Sequence, residues 1–95
     1  MIIFTPKKFL NAIYLRGLNL SWFIKRGVSR ETFVPRNFHR KSLLPLEYKK
    51  EIRVKTVEKI AELLIEEGIM DDKERVKACF LNDNFSAFLV QGDDL

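Results

Sequence analysis

Apolar residues recur at helical spacing through most of this chain and give way to two β-prone runs near its end. Ile2-Ile3-Phe4 forms a short β-prone run. Thr5-Pro6 then reads as an N-cap followed by proline at the first helical position. Phe9, Leu10, Ile13 and Tyr14 follow at helical spacing, with Gly17 as the stop. A second short helix fits Asn19 to Arg26: Asn19 caps it, Leu20, Phe23 and Ile24 face inward, and Gly27 ends it. After the spacer Val28, Ser29 caps a third helix through Phe33. Pro35 limits that helix, because proline lacks a backbone donor and disfavours helical geometry in Val34.

Residues 35–55 are basic and show no clear period, although Pro45 can open a helical turn through Tyr48. The pattern then predicts a helix from about Thr56 to Glu67. Val57, Ile60, Ala61 and Leu64 form its apolar stripe, Gly68 its stop, and Glu58, Glu62 and Glu66 a solvated face. Val76–Leu81 and Phe85–Val90 flank Asn82-Asp83-Asn84, whose side chains tolerate left-handed turns, and together they read as a β-hairpin. The expected fold is therefore α+β and mainly α. One domain over 1–95 holds a bundle of four to five short helices (9–67) and a C-terminal β-hairpin (75–91) that the Ile2–Phe4 strand joins.

The segment from Asn19 to Phe33 carries the sharpest functional signal. A helix-turn-helix needs a short helix, a glycine that tolerates positive φ, an apolar spacer and a capped second helix. Gly27, Val28 and Ser29 supply the last three in order, and Phe33 lies where it can face back into the core. Arg30, Glu31 and Thr32 then sit at the exposed start of the recognition helix, the end that contacts base edges in this motif.

On these residues the chain resembles the phage Cro and repressor type of helix-turn-helix domain over roughly Phe9 to Leu64. Gly-Val-Ser-Arg-Glu-Thr at 27–32 is similar to the family's turn and recognition-helix start. Lys55 to Leu64 is similar to its later packing helix. The chain departs from the family pattern at Phe23, where a small residue is usual, and at Arg26, where an apolar one is usual. Arg36 also stands where an apolar residue is expected, after Pro35, and the connection from Phe33 to Thr56 is longer than usual. The resemblance implies a dimeric transcriptional regulator.

Charge sharpens this picture. The net charge is +4 over 95 residues. Residues 1–59 hold fourteen Lys or Arg against four Glu, a net of +10, while residues 60–95 hold three against nine, a net of −6. A basic half joined to an acidic half points to a polyanion-binding face, because Lys and Arg release condensed counterions from phosphates. Double-stranded DNA is the expected partner. The expected DNA-binding residues are Ser29, Arg30, Thr32 and Arg36 as readers, with Asn37, His39, Arg40 and Lys41 on phosphates or at a groove. The positive field of Arg40 and Lys41 favours a neutral His39, suited to a phosphate or surface contact.

The hairpin adds a dimer expectation. A three-residue turn places Leu81 opposite Phe85, Cys79 opposite Ala87 and Lys77 opposite Leu89. Both faces are then largely apolar, so Cys79, Leu81, Phe85, Ala87 and Leu89 are expected to meet a second copy. The rival reading is a protein-interaction module, an antirepressor or modulator with the same body and no DNA contact. Clustered exposed Trp22, Phe33 and Phe38 would favour it, and basic and polar tips over 29–41 would favour DNA. An RNA-binding accessory protein lacks the usual paired aromatic strand motifs, and a winged-helix variant would put the acidic Asn82-Asp83-Asn84 tip toward phosphate.

Other chemistry is sparse. One cysteine, Cys79, and one histidine, His39, exclude an internal disulfide and a paired-histidine or multi-cysteine metal site. Ser29 or Ser42 with His39 has no nucleophile–base spacing, and the carboxylates near Glu66 and Asp71 lack histidines or a glycine-rich loop. No catalysis, metal or cofactor is expected. No run has the length of a transmembrane helix and the start does not read as a signal peptide, so the expectation is a reduced, cytoplasmic protein with no membrane contact.

Overall fold

The computed structural model describes residues 1–38 and 44–90. It is α+β and mainly helical. In chain order it comprises strand β1 (Ile2–Phe4), helix α1 (Pro6–Leu15), helix α2 (Leu20–Lys25) and a 3-10 turn at Arg30–Thr32. Strand β2 (Lys50–Ile52), helix α3 (Val54–Glu66), helix α4 (Lys73–Leu81) and a second 3-10 turn at Ser86–Leu89 follow. Among the described residues, no helix is long and apolar enough to cross a membrane.

Local chemistry accounts for the first half. Pro6 opens α1, and Gly17 ends the turn after it at φ +81°. Asn19 caps α2, its side-chain oxygen accepting from the Trp22 N–H at 2.9 Å. Gly27 follows at φ +94°, a left-handed geometry that costs glycine nothing. Ser29 holds the cap position of the next element, but its hydroxyl donates to the Glu31 carboxylate at 3.1 Å instead of capping. With no cap bond and Pro35 close behind, the expected third helix shrinks to the single turn Arg30–Thr32.

The two strands correct the expected sheet. β1 pairs antiparallel with β2 in the register Ile2 with Ile52, Ile3 with Glu51 and Phe4 with Lys50. Ile2, Phe4 and Ile52 are buried, whereas Ile3 and Glu51 face solvent. β2 escapes a hydrophobic reading because only one of its three side chains enters the core. α3 starts two residues earlier than the periodicity suggested and ends before Gly68 at φ +82°.

The C-terminal β-hairpin over 75–91 is not formed. Lys73–Leu81 is helix α4, started by Asp72, whose carboxylate accepts from the Glu74 N–H at 3.0 Å. Val76, Cys79 and Phe80, spaced i, i+3 and i+4, are its buried face, so helical spacing wins over β-prone composition. Asp83 takes the left-handed conformation at φ 51°, but it ends a helix rather than turning a hairpin. Phe85 and Phe88 then fold back into the core. The cross-strand pairs of Leu81 with Phe85 and Cys79 with Ala87 therefore do not exist. Cys79 and Phe85 are buried within the chain, Ala87 is half-buried and packed on the core, and Leu81 and Leu89 point to solvent. The dimer contact expected from a two-faced hairpin loses its basis.

The core is aromatic. Phe4, Phe9, Phe23, Phe33, Phe80, Phe85 and Phe88 are all buried. Phe9 sits at their centre. It stacks on Phe33 at 5.1 Å and 5° between planes, and it meets Phe4, Phe85 and Phe88 edge-on. Each buried ring contributes about 1.5–3 kcal/mol of burial, with about 0.5–1.5 kcal/mol more for each well-placed pair. Phe33 belongs to this cluster, so the turn at Arg30–Thr32 is anchored directly to α1 and β1.

Candidate nucleic-acid interface

The site begins with α3. Its exposed side carries an acidic and a basic stripe next to each other. Glu58 and Glu62 turn toward α4, where Glu58 pairs with Lys77 at 3.5 Å and Glu62 with Lys73 at 3.5 Å. Burial lowers the Lys77 ammonium's pKa, but Glu58 and Glu74 outweigh that and hold it above the ordinary value. Lys55 and Lys59 lie one helical turn apart on a stripe that adjoins these glutamates, near Arg53 at the cap. Among the described residues, Lys50, Arg53, Lys55 and Lys59 make no ion pair.

This arrangement works against the helix that carries it. Like charges at i,i+4 cost about 0.2–0.5 kcal/mol, and cations at a helix start oppose the macrodipole by about 0.3–1 kcal/mol at exposed positions. The first turn of α3 holds no acid to offset them, whereas α4 starts with Asp72 and Glu74 in the favourable order. Arg53 and Lys55 thus sit where the helix dipole disfavours cations, although Glu58 and Glu62, three positions beyond Lys55 and Lys59, offset part of the cost.

The Gly27–Thr32 segment faces these cations. A hollow of about 340 Å³ is lined by Gly27, Val28, Ser29 and Thr32 on one side and by Arg53, Lys55, Thr56 and Lys59 on the other. Among the described residues, no carboxylate lines it. A second hollow of about 480 Å³ continues it along β2, adding Lys49, Lys50 and the carboxylates of Glu31 and Glu51. Sharing four lining residues, the two adjoin as a groove between the Gly27–Thr32 segment and the β2–α3 junction. Ser29, Thr32, Arg53 and Thr56 are common to both parts.

The expected DNA-binding residues divide by position. Ser29 and Thr32 line the groove, and Arg36 and Asn37 are exposed beside the turn. Arg30 is less free. Its guanidinium donates to the Phe38 carbonyl at 2.9 Å and lies 5.8 Å from the Phe38 ring centre, which pins the 33–38 segment to the turn. The Glu31 carboxyl is held below its ordinary value, first by its backbone hydrogen bond and then by the Ser29 hydroxyl. His39, Arg40 and Lys41 lie outside the described residues.

The large aromatic side chains turn away from this surface. Phe33 is fully buried, and Trp22 and Phe38 pack against the core. Arg26 covers the Trp22 ring at 4.0 Å and donates to the Trp22 carbonyl at 3.0 Å. What faces solvent from Gly27 to Asn37 is mainly polar and charged.

The basic residues of the β2–α3 junction were not among those expected from sequence. A signal was present: Arg53, Lys55 and Lys59 fall in and just after the basic stretch, and Lys55 and Lys59 share a helical spacing. What the sequence lacked was the pairing of β1 with β2, which fixes the junction beside the turn. Cys79 lies in the core, where burial pushes its thiol's pKa up against the opposing effect of Arg75. No protein-family model, curated protein or solved structure matches the chain.

Proposed function

We propose that this chain is a small double-stranded-DNA-binding regulator, built on a helix-turn-helix-like pair formed by α2 and the Arg30–Thr32 turn. One observation carries the reading. Phe33 is buried and Trp22 and Phe38 are half-buried against the core, while Ser29, Thr32, Arg36 and Asn37 stand at or beside a groove whose far wall carries cations with no ion pair among the described residues. A protein-docking face would present the rings outward, since aromatic residues anchor such interfaces.

The length of the turn limits how it reads DNA. Three residues of 3-10 helix present far fewer side chains to base edges than a full recognition helix does. Affinity is therefore expected to come mostly from phosphates and to fall steeply with salt. The test is a gel-shift on mixed-sequence duplex DNA across a salt series. Binding at low salt that weakens linearly in log–log form supports the reading. No duplex binding at low salt removes it and favours the protein-interaction module.

A further inference from the structure

We infer that the hollow between the Gly27–Ser29 turn and the start of α3 is a seat for a phosphate group, filled in the proposed function by the duplex backbone. Arg53, Lys55 and Lys59 provide three cations, and Thr32 and Thr56 provide two hydroxyl donors, around one open hollow whose Ser29 hydroxyl is engaged by Glu31. The two walls come from chain segments more than twenty residues apart, brought together where β2, paired with β1, also contacts the Arg30–Thr32 turn. Among the described residues these cations have no acidic partner, although α3 offers carboxylates at Glu58 and Glu62. Those carboxylates are spent on Lys77 and Lys73 of α4.

The donor set favours phosphate. Lys, Arg, Ser and Thr are the side chains that hold phosphate oxygens in nucleic-acid complexes, and a guanidinium can bind two oxygens at once. Among the described residues, the hollow has no aromatic lining to stack a base and no carboxylate to accept from one. It is thus suited to the backbone rather than to base edges. It also accounts for a helix that starts with unfavourable charge: the bound anion supplies the missing negative partner.

The inference rests on the DNA-binding reading for the source of the phosphate, and two arms separate the two claims. In the first, fluorescence anisotropy follows a labelled duplex over a KCl series with wild type, Lys55→Gln/Lys59→Gln, and the charge-matched control Lys73→Gln/Arg75→Gln. The groove variant is expected to lower the slope of log K against log salt by about 0.9, the one phosphate equivalent that the seat holds. The control should keep the wild-type slope. Equal slopes in groove variant and wild type, or an equal loss in the control, overturn the assignment.

In the second arm, thermal unfolding is compared in sodium tripolyphosphate and in KCl of the same ionic strength. Tripolyphosphate is expected to raise the midpoint of wild type and not that of the groove variant. If it does so while duplex fails to bind, the phosphate seat stands and the DNA reading falls. If it raises neither midpoint, or both equally, the seat is wrong. The groove variant in KCl should unfold close to the wild-type temperature, because relief of the Lys55–Lys59 repulsion and loss of their i,i+3 attraction to Glu58 and Glu62 oppose each other. A lower midpoint would mark these lysines as structural and would also count against the seat.

Discussion

The carboxylate of Asp83, just beyond α4, holds the start of α1 by accepting from both the backbone N–H and the hydroxyl of Thr5, 78 positions away. The N–H contact is 2.7 Å. Thr5 is fully buried, so Asp83 satisfies polar groups that water cannot reach. Lys49, in the approach to β2, closes the knot by donating to the Thr5 hydroxyl at 2.6 Å and to Asp83 at 3.2 Å. The same Lys49 lines the groove. One carboxylate thus ties together the start of the chain, the end of α4 and the edge of the candidate site.

Replacing Asp83 with Ala is expected to cost about 1–3 kcal/mol, the penalty for leaving buried donors unpaired. At roughly 4–8 °C per kcal/mol for a domain of this size, the unfolding midpoint falls visibly. Asp83→Asn should cost less, because Asn tolerates the left-handed backbone and keeps an acceptor. Thermal denaturation by circular dichroism measures both.

The same carboxyl sets an acid dependence. Partial burial pushes its pKa up, but the hydrogen bonds from Thr5 and Lys49 and the charge of Lys8 outweigh that and hold it below the ordinary value. A group depressed in the folded state contributes stability that is fully present above its unfolded pKa, near 4, and lost as pH falls through the folded one. Wild type should therefore lose stability relative to Asp83→Asn on acidification below about pH 4. Parallel pH curves for the two proteins would contradict this.

Phe9 contacts six of the other rings, so Phe9→Ala should cost about 3–5 kcal/mol. That is a large share of a total near 5–15 kcal/mol. The expected outcome is a urea midpoint close to zero or loss of a cooperative transition. A midpoint near that of wild type would mean the aromatic cluster is not the core.

Several turns and caps were legible in sequence. Pro6, Asn19, Gly27 and Gly68 each mark a boundary through local backbone chemistry that tertiary contacts do not override. α3 was legible because Val57, Ile60, Ala61 and Leu64 keep strict helical spacing. The end of the chain misled because its composition and its spacing disagree. Cys79-Phe80-Leu81 and Phe85 to Val90 are β-prone by type, yet Val76, Cys79 and Phe80 share a helical face and Asp72 caps it. β2 was hidden by its charges, Lys50 and Glu51. Missing it concealed the groove, since half of the candidate site depends on that pairing.

The helical end of the chain has its own test. Ala78→Pro removes a donor and clashes within α4, so it should cost about 3 kcal/mol. Leu81→Glu, on the exposed side, should stay within about 0.5 kcal/mol, whereas Phe85→Glu buries an unpaired carboxylate and should unfold the chain. Urea denaturation of the three separates helix from hairpin, because facing strand positions would make Leu81 and Phe85 respond alike.

Glu31 stands in the groove as the wrong charge for DNA. Glu31→Gln is expected to tighten duplex binding at low salt, with the gain fading as salt rises. Anisotropy titrations at two salt concentrations check this, and an unchanged or weaker affinity at low salt would place the DNA elsewhere.

The most direct measurement is an amide chemical-shift map of the labelled protein titrated with duplex DNA. The signals of Gly27, Ser29, Thr32, Arg53, Thr56 and Lys59 should move together, with little change over Glu62 to Arg75. No movement at low salt, or movement confined to the acidic α3–α4 surface, would contradict DNA binding at this groove.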